Sequence, residues 1–138
     1  MTEAKQARCL CGNVTLNVGS LARVFTACHC DMCRKWGGIW VAVECNDVTV
    51  HAPDGVKIYD SSEWAERGFC AVCGTHLYYK GKGRDAYFVA IGLFPETEAF
   101  EFTRQIFIDK KPDYYCFANS TTELTEREVF EQFSADSN

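Results

Sequence analysis

Seven of the nine cysteines fall into three short runs: Cys9-x-Cys11-Gly12, Cys28-His29-Cys30-x-x-Cys33 and Cys70-x-x-Cys73-Gly74. Thiolates at these spacings are soft ligands suited to zinc. The two pairs together supply four sulfurs, enough to close a tetrahedral site. The triplet supplies three and leaves a position for water or substrate. A closed site holds a fold together and an open one carries a reaction, so ligand number alone separates Cys9, Cys11, Cys70 and Cys73 from Cys28, Cys30 and Cys33.

Each run has a backbone that suits its task. On an extended strand Cys9 and Cys11 share one face, whereas Cys70 and Cys73 need a turn for which Gly74 can supply positive φ. A clamp between these two segments closes a long loop, so the ion should contribute to folding. Beside the triplet, Arg34 and Lys35 help to keep thiolates ionised and can receive a substrate carboxylate. Closing the triplet with a fourth protein ligand would need Cys45, Cys116 or a histidine. His29, between two ligands, reads as a packed or hydrogen-bonded side chain, as do His51 and His76. Cys45 and Cys116 lack a zinc-spaced partner and read as small hydrophobes. Trp36, Trp40 and Trp64 read as core or pocket wall.

These residues must be positioned by a chain of 138 residues, 47% hydrophobic, which suits a single domain over 1–138. No run is apolar enough to cross a bilayer, and residues 1–8 lack the apolar stretch of a signal peptide, so the cytoplasm is the expected location. In that reducing compartment clustered cysteines are metal ligands rather than disulfides. A formal charge of −5 argues against nucleic acid and against anionic lipid. The basic cluster Lys80, Lys82 and Arg84 reads as a solvated patch.

Alternation over Val14–Val18 and the apolar run Ile39–Val43 predict strands. Further strands are predicted at Val48–Val50, Val56–Tyr59, Leu77–Tyr79, Tyr87–Ile91 and Gln105–Ile108, separated by Gly and Pro turn signals. Many short strands imply a mainly β fold, a sandwich or partly open barrel stapled by zinc. One short C-terminal helix is predicted, capped by Thr125 with Glu128 completing a capping box, and with Leu124 and Val129 as staple. Val129, Phe130 and Phe133 make its apolar stripe, expected to pack on the sheet. Residues 134–138 are expected to fray.

Read in order, Cys-Leu-Cys-Gly, then Cys-His-Cys-Asp-Met-Cys-Arg-Lys-Trp-Gly-Gly, then Gly-Phe-Cys-Ala-Val-Cys-Gly-Thr-His-Leu resembles the glutathione-dependent formaldehyde-activating enzyme family, also called the CENP-V/GFA family. Ile106–Pro112 and the tyrosines after it extend the resemblance. It implies a β-tent fold and two Zn2+ per chain, a structural ion on Cys9, Cys11, Cys70 and Cys73 and a catalytic one on Cys28, Cys30 and Cys33. It also implies carbon–sulfur lyase chemistry, in which the thiol of glutathione adds to formaldehyde to give S-hydroxymethylglutathione. The partners would be a small thiol and a small aldehyde. A non-catalytic zinc module for a protein partner or small ligand is the alternative, and a thiol-redox or metal-storage role is a third.

Overall fold

A computed structural model describes residues 5–95 and 100–136. The chain gathers into two compact units, one of Met1–Arg23 with Ala42–Phe100 and the other of Val24–Val41 with Glu101–Asn138.

In the first unit the strands are β1 (Lys5–Arg8), β2 (Thr15–Leu21), β4 (Trp40–His51, which enters this unit at Ala42), β5 (Val56–Tyr59), β6 (Ala65–Cys70), β7 (His76–Gly81) and β8 (Tyr87–Ala90). They pair antiparallel in the order β1-β2-β4-β8-β7-β6-β5. Strands β1 and β5 are its edges, so among the described residues this sheet is open and not a barrel. Alternation along β2 buries Leu16 and Val18 beside Leu21, Val43, Leu77 and Val89, the apolar core of the unit.

The two runs predicted as separate strands, Ile39–Val43 and Val48–Val50, are one twelve-residue strand, β4. Asp47 absorbs the interruption by taking φ +54°, and the Asp85 carboxylate accepts its N–H at 3.0 Å. Its side chain occupies the space a Cβ at Gly19 would need, which is why β2 carries glycine there.

The second unit contains β3 (Val24–Cys28), α1 (Asp31–Gly37), β9 (Glu101–Ile106), β10 (Thr122–Leu124) and α2 (Glu126–Asp136). Strands β3, β9 and β10 are mutually parallel, with Cys28 opposite Ile106 and Thr122 opposite Arg104. Phe25 and Phe102 stack at 5.0 Å across the first pair. The strand predicted at Gln105–Ile108 lies earlier, because Phe107 turns left-handed (φ +55°) and opens a 3-10 turn.

The capping box of α2 forms as predicted. Glu128 N–H donates to Thr125 Oγ1 at 3.2 Å, and Thr125 N–H donates to Glu128 Oε1 at 2.8 Å. The apolar stripe is less buried than predicted: Phe130 meets Phe107 at 6.0 Å, yet Phe130 and Phe133 remain 46% and 45% exposed. Helix α2 runs to Asp136, beyond the point where fraying was expected, and residues 137–138 lie outside the described residues. No helix among the described residues is long and apolar enough to cross a membrane.

Candidate metal centres

The first unit brings Cys9, Cys11, Cys70 and Cys73 together with all four sulfurs within 4.8 Å of one another. Cys9 and Cys11 stand 3.6 Å apart and Cys11 and Cys70 3.8 Å. A tetrahedral zinc with sulfurs at about 2.3 Å spaces its ligands about 3.8 Å apart, so the cluster fits such an ion.

Two similar turns present these sulfurs. The first pair does not lie on a strand as the sequence suggested. It sits in a turn after β1, where Gly12 N–H donates to Cys9 O, Cys9 N–H donates to Val14 O, and Gly12 takes φ +80°. In the second turn Gly74 N–H donates to Cys70 O, Cys70 N–H donates to Thr75 O, and Gly74 takes φ +81°. Both glycines supply a conformation that a side chain would disfavour. Amides point at sulfur in each turn: Val14 N–H approaches Cys9 Sγ at 3.3 Å and Cys73 N–H approaches Cys70 Sγ at 3.5 Å.

Thr75, which sequence reasoning did not single out, joins the turns. Its Oγ1 accepts from Leu10 N–H at 3.1 Å and lies 3.0 Å from Cys73 Sγ. Accepting from the amide leaves the hydroxyl proton free to be given to a Cys73 thiolate. That bond, with amides of Thr75 and Cys11, holds the Cys73 thiol down to about 5. The signal was present in Cys-Gly-Thr-His-Leu, but only the folded turn shows which atom the hydroxyl serves.

The second unit brings Cys28, Cys30 and Cys33 together, again with sulfurs within 4.8 Å. Cys28 ends β3, Cys30 is the N-cap of α1 and Cys33 lies in its first turn, so a strand-to-helix corner gathers all three. Cys33 N–H donates to Cys30 Sγ at 3.4 Å, and Gly38, at φ +81°, ends the helix. Hydrogen bonds from Cys28 and Cys33 hold the Cys30 thiol well below its ordinary value despite burial. Cys28 moves the opposite way, pushed up by its hydrogen bonds with Cys30 and Cys33 and by burial. Three sulfurs gathered within 4.8 Å, one of them readily ionised, suit a cluster that gives up its protons to a cation.

Among the described residues no fourth His, Cys, Asp or Glu ligand atom joins this triplet. Cys45 is buried in β4, donates to Val43 O at 3.4 Å and has its thiol pushed up to about 12 by burial. Cys116 is exposed and outside both clusters.

His29 is fully buried and held by other partners: Nε2 lies 2.8 Å from Gln105 Oε1 and Nδ1 lies 2.6 Å from Tyr115 Oη. Burial lowers its affinity for a second proton. Neither Gln105 nor Tyr115 was singled out from the sequence, since polar residues 76 and 86 positions away carry no local signature of such a contact. His51 is exposed and pairs with Asn17, while Lys82 reaches Asp60 at 2.5 Å, so both serve local structure.

Of the basic pair after the triplet, Lys35 is exposed. Arg34 bonds Asp31 at 2.5 Å, which raises its pKa, and its Nε is buried without a hydrogen-bond partner. Trp40 is also buried, with Nε1 unpaired, and packs on Trp36 at 4.6 Å, whereas Trp64 is 54% exposed.

An uncharacterized lyase of Schizosaccharomyces pombe is 38% identical over 127 residues, 90% of this chain and 93% of the relative. A crystal structure of a Rhodobacter sphaeroides protein shares the fold at TM-score 0.57 and 21% identity, covering 71% of this chain and 99% of the other. The model of the glutathione-dependent formaldehyde-activating enzyme family matches residues 4–110, and the chain belongs to that family.

Proposed function

We propose that the protein is a zinc-dependent carbon–sulfur lyase that joins a small thiol of the glutathione type to formaldehyde or a comparably small aldehyde. The observation that carries this reading is the contrast between two thiol clusters. One has the four sulfurs of a closed site; the other has three, with no fourth protein ligand among the described residues. Family membership and the lyase relative support the reaction class.

Cys9, Cys11, Cys70 and Cys73 would hold a structural zinc, and Cys28, Cys30 and Cys33 a second one at the reaction site. Zinc bound there supplies Lewis acidity tempered by three thiolates and favours the ionised form of a thiol near neutral pH. The reaction forms a bond between the thiol sulfur and the aldehyde carbon, and the thiol proton ends on the aldehyde oxygen. Lys35 offers a solvated ammonium to a substrate carboxylate. Arg34, committed to Asp31 through one terminal nitrogen, brings a second positive charge next to Cys33. These two cations orient an anionic thiol.

The test uses zinc-loaded full chain with glutathione and 13C-formaldehyde, following hydroxymethyl exchange by NMR against the spontaneous rate. Acceleration that is lost in Cys30→Ser, while one zinc per chain is retained, supports the assignment. Exchange at the spontaneous rate with doubly loaded protein would refute it.

A further inference from the structure

Beside the triplet, the chain from Lys111 to Thr121 contains no strand or helix, yet it is tied down at several points. Lys111 Nζ donates to the carbonyls of Pro112 at 3.0 Å and Tyr115 at 2.5 Å, and lies 5.2 Å from the centre of the Tyr115 ring. Phe117 meets Phe102 of β9 edge-on at 5.1 Å and Tyr115 at 6.2 Å. The innermost anchor is Tyr115 Oη, 2.6 Å from Nδ1 of His29, the residue between ligands Cys28 and Cys30.

The direction of this bond follows from the groups behind it. Gln105 Nε2 donates to Thr121 Oγ1 at 3.0 Å, so its Oε1 faces His29 and accepts from Nε2–H. In the tautomer with its proton on Nε2, Nδ1 carries the lone pair and the Tyr115 hydroxyl donates to it. Thr121, Gln105, His29 and Tyr115 thus form one hydrogen-bonded chain, buried at His29 and Gln105 and half-buried at its two ends. It begins and ends in the same irregular segment and passes through the ligand corner on the way.

We infer that Tyr115 is a positioning residue of the three-thiol site: through His29 and Gln105 it holds the segment 111–117 beside the ligand corner and makes its aromatic side chains a wall for the substrate. Charge interactions place the wall beside the site. Tyr115 feels both Cys28 and Arg34, and the Tyr114 hydroxyl acts on Arg34. Tyr114 is 80% exposed and Phe117 36%, so aromatic surface faces solvent next to Arg34, proposed to help bind carboxylate. A ligand with an apolar or amide stem and an anionic end, such as a peptide thiol, matches that surface. The assignment of a substrate rests on the proposed lyase function; the relay itself does not.

The experiment compares zinc-loaded wild type with Tyr115→Phe and with Gln105→Met, which breaks the relay at its bonds to His29 and Thr121 and leaves Tyr115 intact. Hydrogen exchange over 112–118 and the 15N signals of His29 report the relay, and glutathione–formaldehyde kinetics report the wall. Expected are two zinc ions retained, a His29 signal moved from the Nε2–H tautomer in Gln105→Met, and faster exchange over 112–118 in both variants. Expected too is a KM for glutathione raised about tenfold with kcat within about twofold, the loss of one hydrogen bond expressed in binding. Unchanged exchange over 112–118 in both variants would overturn the relay. Changed exchange with unchanged KM would overturn the wall. If wild type shows no activity with glutathione, the lyase proposal fails, while exchange and 15N signals still decide the relay.

Discussion

Removing a ligand from the four-sulfur cluster should cost far more stability than removing one from the triplet, because the two clips close loops of different length. Cys11 and Cys70, whose sulfurs stand 3.8 Å apart, are separated by 59 residues. Treated as a cross-link that restricts the unfolded chain, a clip across such a loop stabilises by about 4 kcal/mol, against about 2 kcal/mol for the six-residue triplet. A difference of about 2 kcal/mol corresponds to a Tm gap of roughly 8 °C at this chain length. Cys70→Ser and Cys33→Ser make a fair pair, since both side chains are almost fully buried, at 1% and 3% exposed. Thermal unfolding by circular dichroism, with zinc counted on the same samples, should show Cys70→Ser melting well below Cys33→Ser and each variant losing one ion. Equal melting temperatures would mean that the long clip is not what holds the first unit together, and the division into structural and reactive clusters would lose its energetic basis.

Thr75→Val keeps the shape of the side chain and removes the hydroxyl shared by Leu10 and Cys73, so zinc affinity at the four-sulfur cluster should fall about 10- to 100-fold in chelator competition, with Thr75→Ser close to wild type. Gly68→Ala would set a Cβ 2.5 Å from the ring of Tyr78, itself 4% exposed and unable to swing aside. Denaturant unfolding should register a loss of about 1–3 kcal/mol, and a neutral result would show that β6 and β7 can separate there. His76 has its pKa lowered by burial and then by Arg67, so the unfolded chain takes up its proton first as pH falls. Its contribution is complete above the ordinary histidine value and is lost on acidification through and below it, so His76→Gln should flatten the decline of Tm between pH 7.5 and 5.5, and an unchanged slope would assign the decline to other groups.

The seven clustered cysteines were legible because metal ligands carry a spacing code: a turn of two or three residues is enough to aim two sulfurs at one point, whatever surrounds it. The same locality made the capping box readable, since Thr125 and Glu128 need only each other. Reading became less accurate wherever a distant partner decided the outcome. Cys9 and Cys11 are in a turn because Cys9 N–H finds Val14 O and Gly12 closes back on Cys9, an alternative that the i,i+2 spacing does not distinguish from a strand. Ile39–Val43 and Val48–Val50 fuse because Asp85, far along the chain, satisfies the left-handed Asp47. Strand β3 escaped notice although it delivers Cys28, since its pairing to β9 is long-range and its five residues show no clean alternation.

His29 shows how local and distant information combine at the site. Position alone places it between two ligands, and the expectation that it packs rather than ligates follows from strand geometry. What it packs against is set by Gln105 and Tyr115, and they change its meaning. A histidine that faced solvent beside a cation would compete for it as a ligand. One whose two nitrogens are both engaged within a buried chain is withdrawn from the metal's coordination and can instead transmit position. The chemistry proposed for the triplet therefore depends on that engagement as much as on the cysteines themselves, because His29 sits between two of them and both of its nitrogens are already partnered.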